Sequence, residues 1–309
     1  MPTIVTTPVP KDGIIPKDGI IPKDGIIPKD GIIPKDGDEH HAIAQIAATL
    51  TRWAEHGYEC AFWLRDDDST RPSKRLAAFL QASSEATLAL AVIPAHAQHA
   101  LAPFLDRFDP PNQNPQSQRI IVAQHGWRHQ NHAPSTQKKM EFGPHRSSAC
   151  MREELMHGQQ KLLRLFAHRL SPGLVPPWNR ITMDLFAGWL DNPYRWLSCF
   201  GSTSPTTVLP KQHPASAPMM RYDCHLDPVD WRAGYRSLRP FAGWGRILKQ
   251  LSQLEQQIET TGIDQDTIIH IGLLTHHRVQ DHATMRCIQQ LIELVGLHKN
   301  CYWKFPWQV

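Results

Sequence analysis

The sequence predicts an α/β fold: a mainly parallel sheet curled into a closed or nearly closed (β/α) barrel, with an open doubly wound sheet as the alternative. Three observations carry that expectation. From about residue 40, short apolar runs alternate with segments of helical spacing, and the runs number about seven. No GxGxxG or Walker A loop occurs, which weakens dinucleotide and NTP readings. Polar clusters follow five of the runs, and parallel barrels and sheets assemble their sites at the carboxyl ends of their strands.

In chain order, "IAQIAATLTRW" (43–53) has helical spacing and "CAFWL" (60–64) reads as a short buried strand. "PSKRLAAFLQAS" (72–83) is a helix with Pro72 near its start, where a missing N–H costs least. "ATLALAVIP" (86–94) is a strand closed by proline, and "AQHALAPFL" (97–105) a helix interrupted at Pro103. "RIIVAQH" (119–125) is a strand. The long amphipathic helix "CMREELMHGQQKLLRLFAHRL" (150–170) sets Leu155, Leu162, Leu165 and Phe166 on one side. "GLVPP" (173–177) is a strand, followed by a helix over "TMDLFAGWL" (182–190). "YRWLSCF" (194–200) and "MMRYDCHL" (219–226) are two more strands. The helix 245–262 has Ile247, Leu248, Leu251, Leu254 and Ile258 on one face and Gly262 as its C-cap. The strand "DTIIHIGLLTHH" (266–277) and the helix "DHATMRCIQQLIELVGL" (281–297) finish the pattern.

Ahead of this lies a different texture. Residues 10–36 repeat "PKDGII" four times before "PKDGDEHH". Each copy is a turn with a two-residue apolar spacer, with too little apolar content to offset ordering entropy. Residues 1–38 are therefore expected to be a disordered low-complexity tail, and 39–309 one catalytic barrel.

Composition excludes several classes. The 33 basic and 29 acidic residues, with no basic run, argue against nucleic acid. No apolar stretch approaches a membrane span, and the first residues lack a secretory pattern. Six scattered cysteines without a CxxC fit free thiols in a reducing cytoplasm, and argue against a cysteine-rich zinc site. No specific protein partner is indicated.

The chemistry is expected where the strands end. Residues 62–70, "FWLRDDDST", put three carboxylates in a row after an apolar run. A solvated turn with an N-cap at Ser69 or Ser73 is the bland account. "HGWRHQNH" carries His125, His129 and His132. Eighteen histidines in 309 positions give an HxxxH pair by chance roughly once, so that spacing alone proves little. At a strand end, however, two imidazoles four apart and one carboxylate from 66–68 make a three-ligand metal site with coordination positions left for water and substrate. A second aspartate then serves as base and the third as an outer contact. Trp178 of "PPWNR" (176–180) offers a backbone N–H to an oxyanion. In "DPVDW" (227–231), Asp230 orients an acid or base and Trp231 walls the pocket. His276 fits a general acid.

Taken together, RDDD, HGWRH (125–129), VPPWN (175–179), DPVDW and LTH (274–276) resemble, in order, the five motifs of the NodB-like polysaccharide deacetylases, carbohydrate esterase family four. The resemblance spans about residues 58–280. It implies a deformed (β/α)7 barrel, a divalent metal, usually zinc, with cobalt or manganese as alternatives, and removal of acetyl groups from an N-acetylated or O-acetylated sugar, polysaccharide or glycolipid precursor. Aligning Arg65 with the first position of the family's TFDDG makes Asp67 the base and Asp68 the ligand beside His125 and His129; the other register gives Asp66 and Asp67. Val175 stands where the family has the arginine that pairs with the catalytic Asp, leaving Arg65, Arg146 or Arg180 to replace it. Asn179 replaces a glycine, and Gly126 replaces the Ser/Thr whose hydroxyl braces the histidine loop. "KKMEFGPHR" (138–146) matches no motif. Two other readings stay open: a 2-His-1-carboxylate iron enzyme, and a barrel that binds a carbohydrate or a partner without turnover.

Overall fold

The computed structural model describes residues 39–111, 117–201, 206–209, 219–229, 231, 242–261 and 268–307. The repeat tail, the C-cap at Gly262 and Asp230 lie outside them.

The centre of the fold is β1 (Glu59–Ser69), buried along nearly its whole length. It pairs in parallel with β2 (Leu88–Val92) on one side and β9 (Ile268–Thr275) on the other. From β2 the sheet continues through β3 (Ile120–His125) and β4 (Leu170–Val175) to β5 (Trp196–Leu197). From β9 it continues to β8 (Cys224–Leu226). All of these pairs are parallel. The two ends then meet: Phe200 bridges Cys224, and the Cys224 N–H donates to the Cys199 carbonyl at 3.1 Å. The strands β5-β4-β3-β2-β1-β9-β8 thus curl into a deformed (β/α)7 barrel, the architecture the sequence predicts. A hairpin of β6 (Thr206–Leu209) and β7 (Met219–Arg221) extends the sheet beyond β5.

Six α-helices are described: α1 (Glu39–Glu55), α2 (Lys74–Ala82), α3 (Leu101–Leu105), α4 (Ser148–Phe166), α5 (Ala242–Thr261) and α6 (His282–Gly296). Their amphipathic stripes supply the outer core, as Met151, Leu155, Leu162 and Phe166 do on α4. Ser73, not Ser69, is the N-cap of α2: its hydroxyl accepts the Leu76 N–H at 3.0 Å. No helix among the described residues is long and apolar enough to cross a membrane.

Inside the barrel, Trp63 packs with Ala89, Ala91, Ile121, Ala123, Val175 and Leu274, alternate positions on five strands. The alanines, and Gly173, whose added Cβ would lie 1.9 Å from the Trp196 ring, leave room for Trp63, Trp196 and Trp307. Trp307 stacks on Trp196 with ring centroids 4.2 Å apart, so the chain's own C-terminal segment fills the interior. The period of two then decides what lies above. Continuing 63-65-67, 121-123-125 and 272-274-276 places Arg65, Asp67, His125 and His276 on the interior face at the carboxyl ends of their strands.

Several element expectations need correction. β1 does not stop at Leu64 but runs through the aspartate triplet to Ser69. "TMDLFAGWL" forms only a 3-10 turn at Met183–Phe186, followed by Gly188 at φ +67°. "YRWLSCF" pairs only at Trp196–Leu197. "MMRYDCHL" is two strands, because Asp223 turns inward to accept the Cys199 N–H at 2.7 Å and to pair with Arg221. A last strand, β10 (Cys301–Trp303), pairs with the start of β1 and has no counterpart in the sequence reading.

Candidate metal centre

The three adjacent carboxylates go to three different places. Asp66 faces away from the barrel interior and is fully buried. Its oxygens accept the Thr275 hydroxyl (2.9 Å), the His277 backbone N–H (2.8 Å) and the His277 Nδ1–H (2.5 Å). It anchors the loop that carries His276. Asp67 points inward by simple alternation. Asp68 would point outward again, but the β1–β2 register shifts between Asp66 and Ser69, and Asp68 sits at φ +69°. This bulge re-aims the third carboxylate into the same end of the barrel as the second.

There Asp68 meets the two histidines. Its Oδ1 lies 3.3 Å from His125 Nε2 and 3.2 Å from His129 Nε2. Neither approach has hydrogen-bond geometry, so Oδ1 is buried without a hydrogen-bond partner. Ligand atoms of all three residues fall within 4.8 Å of one another. His125 Nδ1–H donates to the Val175 carbonyl at 2.9 Å, which leaves Nε2 with its lone pair facing Asp68. Two imidazole nitrogens and a carboxylate oxygen around an unsatisfied buried oxygen are a donor set that fits a divalent cation. Electrostatics agree. Burial opposes the Asp68 charge, yet His125, His129 and His276 outweigh it and hold the carboxyl well below the usual range. Burial also works against charge on His125, but Asp67 and Asp68 prevail and raise it. On His129, burial and the neighbouring His125 win, and its pKa falls.

Asp67 is held by Arg65 through a bidentate pair, Nε to Oδ1 at 3.0 Å and Nη2 to Oδ2 at 3.1 Å. The guanidinium is wholly buried. Its remaining donors go to the Ser198 carbonyl and hydroxyl, the Cys199 carbonyl and Asn179 Oδ1. Arg65 therefore occupies the role that the resemblance gives to an arginine at position 175. It comes two residues before its partner on the same strand rather than from β4. Arg146, the second option, is committed to Glu154.

Backbone strain concentrates here. Of the described non-glycine residues at positive φ, Asp68, His129, Trp178 and Asn179 belong to this site, and only Ala167 does not. Such conformations cost roughly 1–3 kcal/mol each and persist only where surrounding contacts over-determine them. The 3-10 turn Pro177–Asn179 brings the Trp178 ring to 4.4 Å from His129, half-covering it.

On the β8–β9 side, His276 Nε2 lies 3.9 Å from Asp67 Oδ2, and the Trp231 ring stands edge-on to His276 at 4.5 Å. His276 Nδ1 is buried with no hydrogen-bond partner. Asp227, not part of the expected set, accepts the Trp231 indole N–H at 2.6 Å and the Val229 N–H at 2.9 Å. Burial raises its pKa, against those hydrogen bonds. The structure thus gathers Asp67, Asp68, His125, His129, Trp178, Asn179, Trp231 and His276, and assigns Asp66 to the surrounding shell.

Sequence reasoning missed Glu141. It lies in the stretch that matched no motif, is 1% exposed, and accepts three backbone N–H groups of the histidine loop: Trp127 at 3.1 Å, Arg128 at 2.8 Å and Gln130 at 3.3 Å. A Cβ added at Gly126 would lie 2.1 Å from Glu141 Oε2. Glycine at 126 makes room for a carboxylate that braces the loop from outside it. The only signal was an isolated acid beside two lysines with an apolar neighbour, Phe142.

Comparison with known proteins gives the fold. No family model and no curated protein matches the sequence. Solved structures do match in fold. A protein from Mycobacterium smegmatis assigned as a polysaccharide deacetylase aligns at a TM-score of 0.57, with 12% identity over 82% of this chain and 89% of that one. The Puue allantoinase aligns at 0.52, with 11% identity over 81% and 88%. The fold is that of the NodB-like polysaccharide deacetylases, reached at an identity where only architecture is shared.

Proposed function

We propose that this protein is a metal-dependent hydrolase that removes acetyl groups from an N-acetylated or O-acetylated sugar, polysaccharide or glycolipid precursor. The observation that carries the reading is the convergence of Asp68, His125 and His129 on an unsatisfied buried oxygen, directly beside a carboxylate that is not one of the three. A divalent cation on these ligands, zinc in the first instance and cobalt or manganese otherwise, would supply Lewis acidity toward an acyl carbonyl and an attacking water.

The chain's own groups divide the remaining work. Asp67 takes the proton of the attacking water, and Arg65 fixes its direction through two hydrogen bonds. The Trp178 backbone N–H, in its strained turn, donates to the developing oxyanion. His276 protonates the departing amine or alcohol, oriented by the edge of Trp231 and by the loop that Asp66 and His277 anchor. Trp178 and Trp231 give apolar walls of the kind on which a sugar ring packs. Asp230, outside the described residues, keeps only its sequence-based role beside His276. The similarity in fold to a polysaccharide deacetylase supports the substrate class, and the unpaired His276 Nδ1 supports a histidine that changes protonation during turnover.

The test is metal analysis of the purified protein, then an acetate-release screen over acetylated saccharides with zinc, cobalt and manganese. About one metal per chain together with metal-dependent acetate release is the expected result. Bound metal without acetate from any saccharide would sink the activity.

A further inference from the structure

We propose that the acetylated saccharide this site takes is anionic, carrying a carboxylate or phosphate next to the acetylated sugar, and that Arg278 and Arg180 read that charge. The inference rests on the hydrolase reading above and narrows its substrate.

The observation is a set of basic side chains without ion-pair partners along the described part of the rim. On the β1–β9 side, Arg278 Nη1 donates to the backbone carbonyl of Asp68, a candidate ligand residue, at 3.3 Å. Arg75 Nη1 donates in turn to the Arg278 carbonyl at 2.5 Å. On the β3–β4 side, Arg180 directly follows Asn179 and donates to the Lys139 carbonyl at 3.2 Å. Arg128, next to His129, lies with its guanidinium carbon 5.8 Å from the centre of the Trp127 ring. Among the described residues, none of Arg75, Arg128, Lys139, Arg180 and Arg278 has a carboxylate within ion-pair distance.

Four described acids from the same strand ends are already committed, and Asp68 is kept for the cation. Asp66 is held by His277, Asp67 by Arg65, Glu141 by three backbone N–H groups and Asp227 by Trp231. Asp281 caps α6 through the Thr284 N–H. The chain as a whole is nearly balanced, with 33 basic against 29 acidic residues. A cationic mouth over a site whose own acids are neutralised from within concentrates anions and places guanidinium forks where a carboxylate or phosphate accepts charge-assisted hydrogen bonds. Arg278 is tied to the Asp68 carbonyl, and Arg180, tied to the Lys139 carbonyl, directly follows the Trp178–Asn179 turn, so both guanidinium groups are anchored beside the candidate site.

Two matched probe pairs test this. One is an N-acetylglucosamine disaccharide against its counterpart with glucuronate as the neighbouring sugar. The other is N-acetylglucosamine against its phosphate monoester. Binding is measured by calorimetry on metal-loaded Asp67→Asn protein, and acetate release on the wild type. The anionic member of at least one pair should bind about tenfold tighter at low salt, with the gap shrinking as salt is raised to about 0.5 M. Which pair responds tells carboxylate from phosphate. The Arg180→Gln/Arg278→Gln double variant should lose the preference with metal content unchanged. Equal binding of neutral and anionic members in both pairs, or a preference that survives in the double variant, overturns the inference. Acetate release without charge preference removes the inference alone. Charge-dependent binding with no acetate from any saccharide removes the proposed activity and leaves the anion preference standing.

Discussion

Two buried arginines stand at opposite ends of the barrel and make outwardly similar ion pairs. Arg169, just before β4, pairs with Asp106 at 2.9 Å and Asp109 at 3.0 Å, and donates to the Ile120 and Asp109 carbonyls. Arg65, on β1, holds Asp67 bidentately and donates to Ser198, Cys199 and Asn179. Both are almost completely buried. The difference lies in what surrounds the carboxylates. Asp109 Oδ2 is also bonded to the Ile120 N–H and Gln118, so its acceptor capacity is spent on tying loops together at the amino ends of the strands. Asp67 faces His276 and stands beside the Asp68–His125–His129 group, amid four strained backbone positions. A buried Arg–Asp pair therefore says little by itself. Its place at the carboxyl ends of the strands, next to an unsatisfied oxygen, is what marks it for chemistry.

The comparison can be broken in several ways. The largest effect is expected for Asp67→Asn, which removes the proposed proton acceptor: acetate release should fall about a thousandfold or more with metal retained, whereas Asp109→Asn should leave turnover per folded molecule unchanged. Steady-state rates beside metal content decide it, and the register that makes Asp67 a ligand would instead show metal lost from the Asp67 variant. His129→Ala comes next. Metal occupancy should collapse while the melting temperature of the metal-free protein stays close to that of the wild-type apoprotein, since the ligands sit on a scaffold held by other contacts.

The arginines themselves are third. Arg65→Met strands the buried Asp67 carboxylate and should cost about 3–5 kcal/mol in denaturant unfolding, and Arg169→Met, whose partners Asp106 and Asp109 are partly exposed, should cost less. Only the Arg65 variant should also lose turnover among the molecules still folded; a matching loss in Arg169→Met would erase the functional distinction between the two ends. A smaller effect is expected for Glu141→Gln, whose single remaining acceptor oxygen cannot serve all three N–H groups. Metal affinity should weaken about 10–100-fold by competition with a chelator, and saturating metal should restore activity. The smallest concerns the repeat: deleting residues 1–38 should shift the melting temperature hardly at all, and a drop of many degrees would show that the tail contributes to the fold.

Much of this was readable in advance, and the limits follow from particular residues. Strand–helix alternation and the order of the polar clusters come from local periodicity, and so does the pairing of His125 with His129, because four residues at a strand end carry their own spacing. "TMDLFAGWL" failed because helical spacing over so short a segment ending at a left-handed glycine does not nucleate a helix. "MMRYDCHL" failed because its break depends on a hydrogen bond to Cys199, 24 residues away.

By itself the sequence determined that three acids, two spaced histidines and a proline-rich turn end three strands of one mainly parallel sheet, since the period of two and the apolar runs are properties of the chain alone. Only the tertiary structure decided where each acid goes. Alternation sends Asp67 inward and Asp66 outward, but Asp68 joins Asp67 through a bulge set by pairing with β2. The arginine on Asp67 comes from its own strand because Ser198, Cys199 and Asn179 absorb the other donors, and Glu141 reaches the histidine loop because Gly126 leaves the space. Each of these is a contact between segments far apart in sequence, whose hydrogen bonds and register are fixed only when the sheet closes.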